Sequence, residues 1–144
     1  MEYIVKEVTE PTVAIVVGIN ALLPQLSENS NRLDLNKLTE ITESTCSHLL
    51  TAIVEEAIVG MLTVTVVKIP TGTKAMIEDV VVDKNFRKFG IAKQLVAGGV
   101  NLARQYNAKD VELTSRPSRQ AANKLYTSMG FVQRETNVYR LKVN

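Results

Sequence analysis

The chain has one cysteine, Cys46, and one histidine, His48. A single thiol cannot form a disulfide framework, and one thiol with one imidazole cannot supply the usual ligands of a zinc site. The core must therefore hold the fold, and at 144 residues a single domain buries about two thirds of its unfolded surface. The lone thiol suits a reducing compartment, so the cytoplasm is the expected location. Long apolar runs are also missing. The most apolar early stretch, Val13 to Leu23, includes Asn20 and stops at Pro24, whereas a membrane span needs about 20 residues. No basic leader precedes it, so it does not read as a signal peptide. Charge of one sign is scarce: 17 basic against 15 acidic residues leave a net charge of +2, too weak for nucleic acid to be the default partner. Neither GxxxxGK[ST] nor GxGxxG occurs, which weighs against a Walker or Rossmann nucleotide domain.

What is present is the composition of an ordinary globular protein, 45% hydrophobic and 22% charged, with no repeat, low-complexity run or linker. Residues 1–144 are expected to fold as one mixed α+β unit with small-molecule chemistry. Tyr3 to Val8 reads as a first strand. Pro11 suits a helix start, and a helix through Leu26 follows. SENSNR is a loop, and Asp34 can cap a second helix in which Leu35, Leu38 and Ile41 recur every three residues. From Leu49 to Ile69 the chain is rich in Val, Ile, Thr and Leu and is broken at Glu55-Glu56, as two antiparallel strands would be. Ala75 to Val82 is a third strand, too continuously apolar to leave one face wet. Ile91, Leu95, Val100 and Leu102 mark a helix in which Gly98 and Gly99 each cost about 1 kcal/mol, so close packing is expected there. Asp110 to Ser115 is a strand, Ser118 a helix cap, Gly130 a helix end, and Phe131 to Val143 a last hairpin. The order is β-α-α-β-β-β-α-β-α-β-β.

The stretch VVVDKNFRKFGIAKQL, from Val80 to Leu95, joins a buried strand to a helix through a turn containing Gly90. Such a turn leaves main-chain N–H groups pointing outward at the positive end of the helix dipole. Small residues at Gly90 and Ala92 let an anion approach, and Lys84, Arg87, Lys88 and Lys93 add positive charge around it. A pyrophosphate fits better than a lone carboxylate. Local physics leaves a second reading open, in which Gly90 serves only the turn.

The stretch Arg87-Lys88-Phe89-Gly90-Ile91-Ala92, directly after IEDVVVD, and the later block SRPSRQAANKLYTSMGF together resemble the GNAT superfamily of acyl-CoA-dependent N-acetyltransferases. The first matches its motif of Arg or Gln, two residues, Gly, one residue, and Gly or Ala. In the second, Asn123, Tyr126 and Met129-Gly130-Phe131 stand where the superfamily has AN-x-x-Y-x-x-x-GF. Lys88 and Ala92 depart from the glycines that many members carry. The resemblance implies a GNAT-like fold with a central, mostly antiparallel sheet of about seven strands and four helices.

It also implies acetyl transfer from acetyl-CoA to a primary amine of a small molecule or peptide, by direct attack in a ternary complex and without a metal. Arg87, Lys88, Phe89, Gly90, Ile91 and Ala92 would cradle the CoA pyrophosphate. Val80, Val81 and Val82 would pair with the pantetheine arm, and a main-chain N–H near Val80 would face the oxyanion. Asn123 would bind CoA. Tyr126 would protonate the leaving thiolate, and Glu78 would take the amine proton or bind the cationic acceptor. Asp79 is expected on the opposite face of the strand.

Plainer readings stand beside these. Tyr126 can be a core ring, His48 a half-exposed surface residue, and Cys46 a small packing residue. Arg116 and Arg119 can be solvated charges or bind phosphate. Arg134, Asn137 and Tyr139, with the loop SENSNRLDLN, fall where the family shapes its acceptor pocket. Pairing through the C-terminal hairpin or the sheet leaves room for a homodimer. A non-catalytic acyl-CoA-binding regulatory module is the alternative function.

Overall fold

The computed structural model describes residues 1–144 and divides into two compact units, 1–113 and 114–144. The first unit contains β1 (Ile4–Glu7), α1 (Val13–Leu26), α2 (Leu35–Glu43), β2 (Ser47–Val54), β3 (Ala57–Ile69), β4 (Gly72–Val82), α3 (Ile91–Gln105) and β5 (Val111–Glu112). One sheet runs in the order β1-β2-β3-β4-β5. Its first three pairings are antiparallel, and β5 joins β4 in parallel through Ala75 with Val111 and Met76 with Glu112.

The ends of the elements follow from local chemistry. The Thr12 hydroxyl accepts from the Ile15 N–H to start α1, so Pro11 lies outside the helix. Asp34 caps α2 through the Lys37 N–H, as its sequence predicts. The turn between β2 and β3 places Glu55 at φ 47° and Glu56 at φ 72°, the left-handed pair that a tight hairpin requires even without glycine.

The sheet is covered on both faces. Leu49, Met61 and Val81 pack with Ile19 and Leu22 of α1 and Leu38 of α2. The opposite face meets α3, whose Gly99 lies against Leu62, Val64 and Ile77. Coverage on both sides explains why β2 is buried without alternation from His48 to Ala52. No helix is long and apolar enough to cross a membrane.

The second unit contains α4 (Gln120–Ser128), with Arg119 rather than Ser118 at its cap position and Gly130 following at φ 99°. The Phe131 and Tyr126 rings meet in a T-shaped arrangement, with centroids 5.9 Å apart.

Five expectations need correction. The sheet has five strands, not about seven. The Phe131–Val143 hairpin is absent: no strand occurs in residues 131–144, and Val132, Val138, Tyr139, Leu141 and Val143 are each at least 75% exposed. Strand propensity there meets no partner strand, and a sheet is made by pairing rather than by propensity. The Asp110–Ser115 strand shrinks to Val111–Glu112. His48 is buried, not half-exposed: its Nδ1 lies 2.9 Å from Glu7 Oε2 and its ring packs on Tyr106. Cys46 is exposed rather than packed.

The close approach expected at the paired glycines is present. A Cβ on Gly99 would lie 3.1 Å from Val64 Cγ2 and 3.4 Å from Ile77 Cδ1. Gly99→Val is expected to destabilise the fold by about 1–3 kcal/mol through overpacking. The midpoint of urea unfolding measures this, and an unchanged midpoint would contradict the packing of α3 on the sheet.

Candidate active site

β4 lies between β3 and the short β5, and its pairing changes along its length. On the β3 side, Met61 faces Val81 and Thr63 faces Glu78, so Asp79 and Val80 together oppose Leu62. This is a β-bulge, with Asp79 at φ 55°. A bulge leaves a residue out of the ladder and bends the strand. On the other side, β5 pairs only with Ala75 and Met76. From Ile77 onward that edge of β4 therefore has no strand beside it, and its main chain is available to an extended ligand.

The bulge also interrupts the alternation on which the separation of Glu78 from Asp79 was based. Both acids are exposed, Val80 is half-buried, and Val81 and Val82 are buried. The carboxyl groups of Glu78 and Asp79 thus stand beside the irregular part of the strand.

β4 runs directly into the turn. Asp83 accepts from the Asn85 N–H at 2.8 Å and starts a single helical turn over Lys84–Phe86. Arg87 Nε donates to the Val82 carbonyl at 3.2 Å, which folds that side chain back along the end of the strand. Lys88 is left-handed at φ 69° and Gly90 at φ 80°. α3 then starts at Ile91 with no side chain capping it. The first N–H groups of α3 are therefore free to meet an anion. Lys84, Arg87, Lys88 and Lys93 are all exposed, and none belongs to an ion pair. At Gly90 the nearest atom to an added Cβ would be the Tyr3 hydroxyl, at 3.8 Å, so the approach to this turn is open.

These features fit a pyrophosphate: uncapped N–H groups, unpaired cations, and no side chain at the tightest point. The first unit thus brings together Glu78, Val80, Val81, Val82 and Arg87 through Ala92, all on β4 and the turn it feeds.

Within the second unit, Asn123 Nδ2 donates to the Arg116 and Arg119 carbonyls at 2.9 and 2.8 Å. Both amide hydrogens are therefore spent on closing the start of α4, and Oδ1 is the atom left to accept. Tyr126 is buried, and its pKa is raised above the ordinary tyrosine value, mainly because burial disfavours the phenolate; Arg119 opposes the shift. The phenol is thus protonated at neutral pH, the form a general acid requires.

Local sequence patterns gave no sign of Gln25. Its side chain reaches from α1 to Asp83 and Lys84, at the entrance of the turn. The contact joins residues 58 positions apart, and only the fold brings them together.

An open-edged, bulged strand that feeds an uncapped and cation-ringed helix start defines a domain suited to an extended ligand with an anionic group. The chain belongs to the acetyltransferase (GNAT) family, whose model matches residues 19–131. No curated protein matches it in sequence. Among solved structures it is similar to an aminoglycoside acetyltransferase from an uncultured soil metagenomic sample, crystallised with trehalose and with sisomicin. The trehalose complex has a TM-score of 0.86 at 20% identity, over 99% of this chain and 96% of that one. It is also similar to aminoglycoside N-acetyltransferase AAC(6')-Iy in complex with CoA, with a TM-score of 0.82 at 16% identity over 99% and 96% of the two chains. A Trypanosoma brucei acetyltransferase gives a TM-score of 0.82 at 21% identity over 99% and 100%.

A lysine in the left-handed region costs more than a glycine would. Lys88→Gly is expected to stabilise the folded protein by about 1 kcal/mol, read from chemical unfolding. A clear loss of stability would contradict the turn geometry.

Proposed function

We propose that the protein transfers an acetyl group from acetyl-CoA to a primary amine of a small molecule or peptide, by direct attack within a ternary complex. The observation that carries this reading is β4, which combines a bulge at Asp79–Val80, an open edge from Ile77 to Val82, and a direct run into the anion-receptive turn. In this reading Arg87 to Ala92 hold the pyrophosphate and the edge at Val80–Val82 pairs with the pantetheine arm. A main-chain N–H at Val80 faces the carbonyl oxygen as the amine adds, and such a donor contributes roughly 3 kcal/mol.

The amine nitrogen forms the new bond to the carbonyl carbon, the carbon–sulfur bond breaks, and the thiolate takes a proton from Tyr126. Glu78 accepts the proton that the amine loses or binds the cationic acceptor. Asn123 contributes its Oδ1 to CoA. The family match across residues 19–131 supports treating the whole chain as one acetyltransferase domain. The exposed, free Cys46 suits the cytoplasm.

Thiol release from acetyl-CoA is the test, with an amine panel that includes sisomicin and polyamines. Turnover with at least one amine is expected. CoA binding without release to any of them would assign the protein as a regulatory acyl-CoA-binding module instead. Tyr126→Phe should lower kcat about 10²-fold or more with CoA affinity nearly unchanged. Because burial raises the Tyr126 pKa, the alkaline fall in kcat should lie above the ordinary tyrosine value of about 10. For Glu78→Gln, an unchanged acidic limb of the pH profile would remove the proton-accepting role.

We also propose that the protein pairs with a second copy through residues 131–144. Tyr139, Leu141 and Val143 alternate with Arg140 and Lys142, a one-faced strand pattern, yet all three apolar side chains stand in water. The Asn137 amide reaches the Tyr139 hydroxyl two residues on at 3.3 Å, as alternate residues of an extended chain do. Light scattering should give twice the 15.9 kDa chain mass, and deletion of residues 132–144 should give the monomer. A monomeric full-length chain at micromolar concentration would refute this pairing.

A further inference from the structure

Gln25 occupies the last turn of α1 and is half-buried. Both ends of its amide are engaged at one place. Nε2 donates to Asp83 Oδ2 at 3.2 Å, and Oε1 accepts the Lys84 N–H at 2.9 Å. Asp83 is itself fixed on three further sides. Its N–H donates to the Val59 carbonyl at 2.8 Å, its carbonyl accepts the Phe86 N–H at 2.8 Å, and its Oδ1 accepts the Asn85 N–H at 2.8 Å. These bonds set the direction in which the chain leaves β4 for Arg87, Lys88, Phe89 and Gly90. Without Gln25, the Lys84 N–H and one Asp83 oxygen lose their protein partners, and the exit of the strand is held from the β3 side alone.

The same helix holds a second segment in the same manner. Asn20 Nδ2 donates to the Leu33 carbonyl at 2.9 Å and Asn20 Oδ1 accepts the Leu33 N–H at 2.7 Å. Two amides on α1 therefore each use donor and acceptor together, one on the chain before α2 and one on the entrance of the turn.

We propose that Gln25 is a positioning residue for the acyl-CoA turn, acting through Asp83 and the Lys84 main chain without touching the donor itself. The inference rests on the acyl-CoA reading of that turn. Displacing the turn misplaces N–H groups whose only partner is the bound anion, so the loss falls on donor binding and leaves the acceptor and the chemical step aside.

The test is CoA affinity by titration calorimetry on the full chain, together with acetyl-CoA KM and kcat. Gln25→Leu should weaken CoA about tenfold, in keeping with the loss of two hydrogen bonds, one part-buried and one exposed, and raise the KM for acetyl-CoA while saturated kcat stays within about twofold. Gln25→Glu should also weaken CoA, because a carboxylate then faces Asp83. Adding Asp83→Asn to Gln25→Glu exchanges donor and acceptor across the contact and leaves the bonds to Lys84 and Asn85 possible, so affinity should return. Asn20→Leu breaks a similar pair elsewhere on α1 and should leave CoA affinity alone.

Equal affinity in Gln25→Leu and the unmodified protein would overturn the inference. So would failure of the paired substitution to restore binding, or an equal loss in Asn20→Leu, which would point to general loosening of α1. Absence of CoA binding by the unmodified protein would remove the acyl-CoA reading itself, and this inference with it.

Discussion

β4 is held between two neighbours, and it satisfies them unevenly. A central strand normally spends its N–H and C=O groups on both sides, but β4 pairs with β5 only at Ala75 and Met76 and breaks register with β3 at Asp79–Val80. Main-chain bonding capacity is thereby kept available at the open edge of a well-packed sheet. The packing makes this tolerable: Val81 and Val82 are buried, with the α1 and α2 core on one face and α3 on the other. A strand free at one edge would be an aggregation hazard on a sheet rim. Here the open stretch is confined to the part of β4 beyond Met76, and it leads into a turn that a ligand can cover.

Charge and strain meet in that turn. Lys88 takes a backbone conformation that suits glycine, and the helix that follows starts uncapped. Both features cost stability in the free protein, and both are useful to a domain whose ligand supplies the missing partners. Local conflict with folding propensity concentrated at one place is what makes this turn the candidate functional site.

Much of this was legible in the sequence because it is written in local pattern. The β2–β3–β4 meander, the Asp34 cap, the close approach at Gly99 and the turn around Gly90 each follow from residues near one another in the chain. The bulge at Asp79 carries no glycine to announce it and emerges only from the register of β4 against β3. His48 could not be placed from its neighbours, because its partners Glu7 and Tyr106 come from the opposite ends of the first unit. The contact of Gln25 with Asp83 was hidden for the same reason. The tail misled in the other direction: Tyr139, Leu141 and Val143 have the alternation of a strand, but alternation states which face would be buried and not what would bury it.

The contact between buried His48 and half-exposed Glu7 also orders events in time. β2, β3 and β4 are joined by tight turns, so their pairing closes only short loops. β1 must wait, since its register with β2, from Ile4 with Ile53 to Glu7 with Leu50, spans the whole of α1 and α2. β1, although it precedes the other four strands in the chain, is therefore the edge strand that docks late, and its arrival brings Glu7 against the His48 ring.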